Sequence, residues 1–250
     1  MISIVVITLN EADRISALLK SAAFADEVIV VDSGSTDGTQ EICRAGGARV
    51  FSRPWQGFAE QKQYAMQLAS FEWILNLDAD ERISGPLAAE LQETIQNAPP
   101  EVCGFSMPRL SRYLGTWIRH GGWYPDRKVR LVRKGCGQWK GGALHEKLEV
   151  SGSIQPLSSP ILHDVYRNIS DQVMTINRFS DVYAGEHSAA GAWFAAGGVL
   201  HALGKFAESY LWKLGVLDGT AGLVIAMNSA WYVFLKQAKV WEKGLKDRKS

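Results

Sequence analysis

Over the first hundred residues, apolar runs alternate with amphipathic stretches. Residues 2–8 form a continuous apolar run that reads as a buried strand, and residues 12–23 place Ile15, Leu18 and Leu19 at helical spacing. A second apolar run, 27–31, ends at Asp32, and 36–45 reads as a helix that Ser35 or Thr36 can cap. A short strand over 48–51, a helix over 58–69, a strand over 72–77 and a helix over 86–97 follow. Strands apolar on both faces, alternating with helices, predict a mostly parallel sheet with right-handed crossovers. Beyond Pro99-Pro100 the pattern changes. Residues 102–109 and 128–133 read as strands separated by a loop rich in Gly, Trp and Tyr, and from Ser170 onward the chain reads as helical.

Length and composition narrow this picture. A chain of 250 residues can bury a full core, with one domain and an appendage as the natural division. We place the main domain over 1–168, its nucleotide-binding half over 1–100 and its acceptor half over 101–168, and a helical C-terminal region over 169–250. A formal net charge of +1 supplies no field to draw nucleic acid. Cys43, Cys103 and Cys136 are scattered and form no CxxC pair, which argues against a disulfide framework or a zinc site and fits a reducing cytoplasm. The N-terminal run is too short and its start too uncharged for a signal peptide.

The polar residues that close the strands carry the chemistry. Strand one ends in Thr8-Leu9-Asn10-Glu11, strand two in Asp32-Ser33-Gly34-Ser35-Thr36-Asp37-Gly38-Thr39, and strand four in Asp78-Ala79-Asp80-Glu81. In an open α/β sheet, ligands bind outside the carboxyl ends of the strands. Carboxylates gathered there suit a hard divalent cation that also takes phosphate oxygens. A carboxylate after strand two can accept from a ribose hydroxyl or a base imide, and the Gly-Ser-Thr loop opens a helix whose N-terminus can bind an anion. The same loop also reads as a plain helix cap. It matches neither a dinucleotide fingerprint nor a P-loop.

Those three clusters together resemble the family 2 glycosyltransferases. Trp123-Tyr124-Pro125-Asp126, then Val129-Arg130-Leu131-Val132-Arg133 and Leu144-His145-Glu146, are similar to the bacterial lipopolysaccharide core glucosyltransferases of the heptose β-1,4-glucosyltransferase group. The resemblance implies a GT-A fold, Rossmann-like, with a C-terminal helical extension. It also implies an inverting, Mg²⁺- or Mn²⁺-dependent transfer of a sugar, glucose from UDP-glucose, onto a lipopolysaccharide core or other lipid-linked saccharide. By it, Asp32 contacts the uracil or ribose with Thr8, Asn10, Glu11, Ser33 and Gly34 beside it. Asp78 faces the donor ribose or sugar, and Asp80 binds the metal. His145 or His163, each followed by an acid, is a candidate further metal ligand. An inverting displacement needs one base for the acceptor hydroxyl. Asp126 is favoured and Glu146 is its rival, because the family's Glu-Asp pair and Gln-x-x-Arg-Trp signature are missing. Arg130 and Arg133 either reach diphosphate oxygens or lie on a solvated strand face.

Residues 192–245 interleave aromatics, among them Trp231, Tyr232, Phe234 and Trp241, with lysines. The longest uncharged run, 219–235, is at the lower edge of a membrane span. Aromatics flanked by lysines suit helices lying in the membrane interface, which would make the enzyme peripheral on the cytoplasmic face of the inner membrane. The competing uses are a cover for the core or a contact in a homo-oligomer. A sugar-nucleotidyltransferase should carry a Gly-rich Arg/Lys signature near the N-terminus, absent here. A non-catalytic sugar-nucleotide scaffold should have lost the Asp-x-Asp or the bases, which this chain keeps.

Overall fold

A computed structural model describes residues 1–141, 146–187 and 194–247. The chain divides into two compact units, Met1–Arg109 with Asp126–His163, and Leu110–Pro125 with Asp164–Ser250. Residues 110–125, which the sequence pattern assigns to the acceptor half, group with the C-terminal helices.

In the first unit the strands β1 (Ile2–Thr8), β2 (Glu27–Asp32), β3 (Arg49–Ser52) and β4 (Trp73–Asp78) alternate with the helices α1 (Ile15–Ser21), α2 (Thr39–Ala45) and α3 (Phe58–Gln67). In chain order there follow β5 (Glu81–Ile83), α4 (Gly85–Asn97), β6 (Val102–Tyr113), β7 (Thr116–Trp117), β8 (Asp126–Arg133), β9 (Gly137–Lys140), β10 (Lys147–Val150), β11 (Ser153–Pro156) and β12 (Ile161–Tyr166), of which β7 and the last residues of β6 and β12 fall in the second unit. The main sheet runs β3-β2-β1-β4-β8-β6-β12-β5. Its first four strands are parallel, as expected, and β8 joins β4 and β6 antiparallel, so the whole is an α/β fold with a mixed sheet. Alternate residues of β1 enter different cores. Ile4 and Val6 pack with Leu18, Leu75 and Leu87 on one face. Val5 and Ile7 pack with Ile29, Met66 and Trp139 on the other. Burial on both faces explains the unbroken apolar runs. Asn76, the polar exception inside β4, is satisfied: its amide donates to the Arg130 carbonyl at 3.2 Å and accepts from Trp139 Nε1 at 3.0 Å.

Several boundaries differ from the sequence expectation. Helix α1 starts late because the backbone N–H groups of Asn10, Glu11 and Ala12 are taken by Ser35 Oγ, Thr39 Oγ1 and Asp37 Oδ2. Helix α2 starts at Thr39, and neither Ser35 nor Thr36 caps it. The cap position is Gly38, whose φ of 91° suits a residue without Cβ. Cys103 and Cys136, distant in sequence, are brought together by the β6–β8 pairing with their sulfurs 2.9 Å apart as free thiols.

The second unit is built on the helices α5 (Ile169–Glu186), α6 (Phe194–Ala207) and α7 (Gly219–Asp247), with a π-turn at Glu208–Trp212 and a 3-10 turn at Gly215–Asp218. Asn168 caps α5 by accepting from the Asp171 N–H at 2.8 Å. Glycine is required where the chain turns into α7: a Cβ on Gly222 would sit 1.9 Å from the Gly215 carbonyl oxygen. Among the described residues no single helix is long and apolar enough to cross a membrane. One pair, Gly197–Trp212 and Gly215–Leu245, passes that test together and is bent by 72°.

The turn after β2 is built around Asp32, which is fully buried. Its Oδ1 accepts from the Gly34 and Ser35 N–H groups and from Gln40 Nε2, at 3.0, 2.8 and 2.7 Å. Its Oδ2 accepts from the Thr8 and Ser35 hydroxyls, at 2.8 and 2.5 Å. Burial alone would raise this carboxyl's pKa. The donors, led by Ser35, outweigh it and hold the pKa below the ordinary value. We therefore expect Asp32→Asn to lose about 1.5–3 kcal/mol of stability at neutral pH. Because the folded pKa lies below the unfolded value of about 3.9, the wild type's advantage is complete above that value. It fades as pH falls through the folded pKa. Urea unfolding of both proteins at neutral pH and near pH 3 checks this: the gap should narrow in acid, and an unchanged gap contradicts the assignment.

Candidate active site

Parallel register sets the ends of β1, β2 and β4 side by side: Thr8 pairs with Asp32, and Ile7 with Asp78. From the end of β4 a ladder of alternating charge runs across the sheet. Asp78 Oδ1 meets Lys62 Nζ at 2.7 Å, and Asp78 Oδ2 accepts from Arg130 Nη2 at 2.5 Å. The same Arg130 nitrogen donates to Glu81 Oε1 at 2.8 Å, and Arg109 Nη1 reaches that oxygen at 3.4 Å. Arg109 Nη2 donates to Asp126 Oδ2 at 2.6 Å, and Lys128 lies 3.0 Å from the other oxygen. At the opposite end, Lys62 donates to Glu146 Oε1 at 2.9 Å. Burial alone would raise the Asp78 carboxyl. The charges of Arg130 and Lys62, with their hydrogen bonds, outweigh burial and hold it well below the usual carboxylate range.

Asp80 has different neighbours. Its Oδ2 lies 3.3 Å from His163 Nε2 and 3.6 Å from Arg14 Nη1. His163 comes from β12, whose pairing with β5 sets it opposite Glu81. Among the described residues no three His, Cys, Asp or Glu side chains form a metal cluster. Asp80 and His163 are two donors, one anionic oxygen and one imidazole nitrogen. That set fits a cation that takes its remaining ligands from substrate oxygens and water.

The structure gathers some predicted residues and reassigns others. Thr8 and Asp32 are spent on each other and on the loop, so Asp32 organises the backbone instead of presenting an open carboxylate to a nucleotide. Ser33 Oγ accepts from Gln61, and Gly34 adopts a positive φ of 100°. Asn10 and Glu11 stay at the strand end, with Asn10 Oδ1 accepting from the Thr36 N–H. Arg130 is buried and held by two carboxylates rather than open to a diphosphate. Of the two places open to Arg133, the one among the acids is not the one it takes: β8 runs against β4 and pairs Arg133 with Trp73, at the far end from the acids, where it bonds Glu72. Asp126, expected in a loop, is the first residue of β8, clamped by Arg109 and Lys128. Burial alone would raise its pKa, but those cations hold it below the ordinary value. His145 lies outside the described residues. Sequence reading missed Lys62 and Arg109. The signal for Lys62 was a lysine on the inward stripe of α3, with Ala59, Ala65 and Met66, where it is nearly fully buried.

The model for glycosyl transferase family 2 matches residues 3–144. A lipopolysaccharide core biosynthesis glycosyltransferase, LpsC of Rhizobium meliloti, is 29% identical over 97% of this chain and 92% of its own length. An uncharacterized glycosyltransferase of Rickettsia bellii is 48% identical over 47% of this chain and 37% of its own. The solved glucosyl-3-phosphoglycerate synthase of Mycobacterium tuberculosis overlaps 45% of this chain and 44% of its own, at 27% identity and a TM-score of 0.37, too partial a likeness to argue from. The family match covers more than half of the chain, including the ends of β1, β2 and β4, and the chain belongs to glycosyl transferase family 2.

Proposed function

We propose that this chain is an inverting, metal-dependent glycosyltransferase. It moves a sugar from a UDP-sugar, glucose from UDP-glucose, onto a lipopolysaccharide core or other lipid-linked saccharide. The observation that carries the reading is the divergence of the two acids at the end of β4: Asp78 is clamped by two cations at 2.5 and 2.7 Å, while Asp80 meets His163 at 3.3 Å and a single cation, Arg14, at the longer distance of 3.6 Å. The kinship with LpsC supports the acceptor class.

Asp80 and His163 would hold Mg²⁺ or Mn²⁺, and a divalent ion bound there offsets the charge of a leaving nucleoside diphosphate. Asp78, kept ionised by Lys62 and Arg130, is the acceptor for donor sugar or ribose hydroxyls. Asn10, Glu11, Ser33 and Gly34 border the nucleotide side. For the base, the contacts favour Glu146 over Asp126, whose two oxygens are both engaged, one by Arg109 and the other by Lys128. Glu146 shares the single Lys62 ammonium with Asp78, which keeps it beside the carboxylate assigned to the donor sugar.

The attachment reading places the protein peripherally on the cytoplasmic face of the inner membrane. It rests on the bend between α6 and α7. Leu211, Trp212, Leu214 and Leu217 are exposed there, Trp212 at 86%. Lys205 and Lys213 flank them and share Glu208. Each such side chain moved from water into lipid gains about 1.5–3 kcal/mol, so a few suffice to hold a protein at the interface. Trp231, which stacks on Phe234 at 5.6 Å, and Trp241 are half exposed on α7 and add apolar surface to the bend's.

Three outcomes follow. Asp80→Asn should keep its fold yet lose about 10²-fold or more of UDP-sugar turnover, including acceptor-free hydrolysis; full activity of the variant in EDTA removes the metal role. Glu146→Gln should lower turnover by about 10²-fold with UDP affinity intact, and Asp126→Asn should be milder; the reverse ranking in steady-state assays returns the base to Asp126. The full chain should co-sediment with anionic liposomes, and the double variant Trp212→Asp with Leu217→Asp should stay in solution. A wild type that remains in the supernatant makes the bend a contact between copies of the chain.

A further inference from the structure

Cys103 and Cys136 are 33 residues apart in sequence and meet at one end of the main sheet. Strand β6 pairs with β8 antiparallel, with Gly104 opposite Val132. The turn from β8 into β9 then folds back, the Cys136 N–H donating to the Arg133 carbonyl at 3.0 Å. That turn is tied to the one between β10 and β11. The Cys136 carbonyl accepts from the Ser151 N–H at 2.8 Å and from Ser151 Oγ at 3.1 Å. Gly152 follows, and a Cβ there would collide with the Cys103 sulfur, so a residue without a side chain keeps the space beside that sulfur. Three segments thus hold the two thiols against each other, with Cys136 Sγ donating to Cys103 Sγ at 2.9 Å. Both cysteines are partly exposed, while Cys43 is fully buried. Burial pushes the Cys43 thiol up to about 11, which leaves it inert. Among the described residues no third His, Cys, Asp or Glu joins the pair to make a metal cluster, and two sulfurs alone are half a zinc site.

We propose that Cys103 and Cys136 are a redox-sensitive pair, converted reversibly to an intramolecular disulfide by exchange with a small-molecule disulfide. In a reducing compartment the disulfides that do form are mostly transient ones, catalytic or redox-sensing. One of the two cysteines, as thiolate, attacks a sulfur of the small disulfide and expels a thiolate. The other, as thiolate, attacks the protein sulfur of the mixed disulfide and expels the second. Two protein S–H bonds are lost and one S–S bond forms, while the small disulfide is reduced to two thiols that take up the two protons. The link would enclose the stretch that runs out along β6, through β7 and back along β8. Closing that excursion at its root restricts the unfolded chain. The acids lie at the opposite end of β8, where Asp126 pairs with Arg109. The pair therefore acts on stability and leaves the crevice as it is.

Incubation of the full chain with oxidised glutathione, followed by alkylation and peptide mass spectrometry, tests the proposal. The expected product is a Cys103–Cys136 link with Cys43 alkylated, and dithiothreitol should return all three cysteines to the alkylated form. The linked protein should melt roughly 5 °C or more above the reduced one. Cys103→Ser and Cys136→Ala should each abolish both the link and the rise. UDP titrated in Mn²⁺ should bind the linked and reduced proteins alike. Alkylation of all three cysteines without dithiothreitol, glutathione retained on either cysteine with no link, or a link between two chains overturns the pairing. A link that leaves the melting temperature unchanged, or that alters UDP affinity, overturns the assignment to stability.

Discussion

Glu81 is fully buried, and the crevice depends on it. Its Oε2 accepts from the Asp78 backbone N–H at 3.0 Å, while Oε1 takes Arg130 and Arg109. One carboxylate therefore ties the turn after β4 to β8 and to β6. Removing one partner of such a buried pair costs about 3–5 kcal/mol, because the other charge is left without compensation. The consequence for chemistry is local. With Arg130 committed to Glu81 and Asp78, and Lys62 closing the other side, Asp78 is electrostatically matched by the protein. Asp80, two residues later, faces His163 at 3.3 Å, with Arg14 farther off at 3.6 Å. Two acids one residue apart thus acquire different environments.

Much of this was legible in the chain. Apolar runs bounded by polar clusters gave the order of the parallel strands, because burial on both faces erases alternation. The Asp-x-Asp turn was legible because its meaning is local: it closes a strand whose carboxyl end faces a crevice. Lys62 and Arg109 were not, since their partners lie far along the chain, as Glu146 does 84 residues from Lys62. Arg133 stayed open between two places because its position depends on the direction of β8, which periodicity does not reveal. The late starts of α1 and α2 have a similar origin: side chains of one loop satisfy the backbone of the other, a competition with helix formation that propensity ignores.

The C-terminal helices show another limit. The uncharged run 219–235 suggested a single interfacial or near-spanning element, yet the chain breaks before it. Glycines permit the close approach of Gly215 to Gly222, and exposed apolar side chains gather at that break and continue along α7 at Met227, Trp231 and Trp241. Polar residues within the same helices, Gln172 and Asn228, turn inward and bond each other.

The central claim is that Asp80 with His163 forms a cation site completed by a nucleoside diphosphate. Calorimetric titration of UDP into the full chain, with Mn²⁺ and then with EDTA, tests it most directly. The account predicts that affinity falls by about tenfold or more when the cation is removed, since Mg²⁺-type sites are shared between carboxylate and phosphate oxygens. Equal affinity for UDP with and without the cation would contradict it.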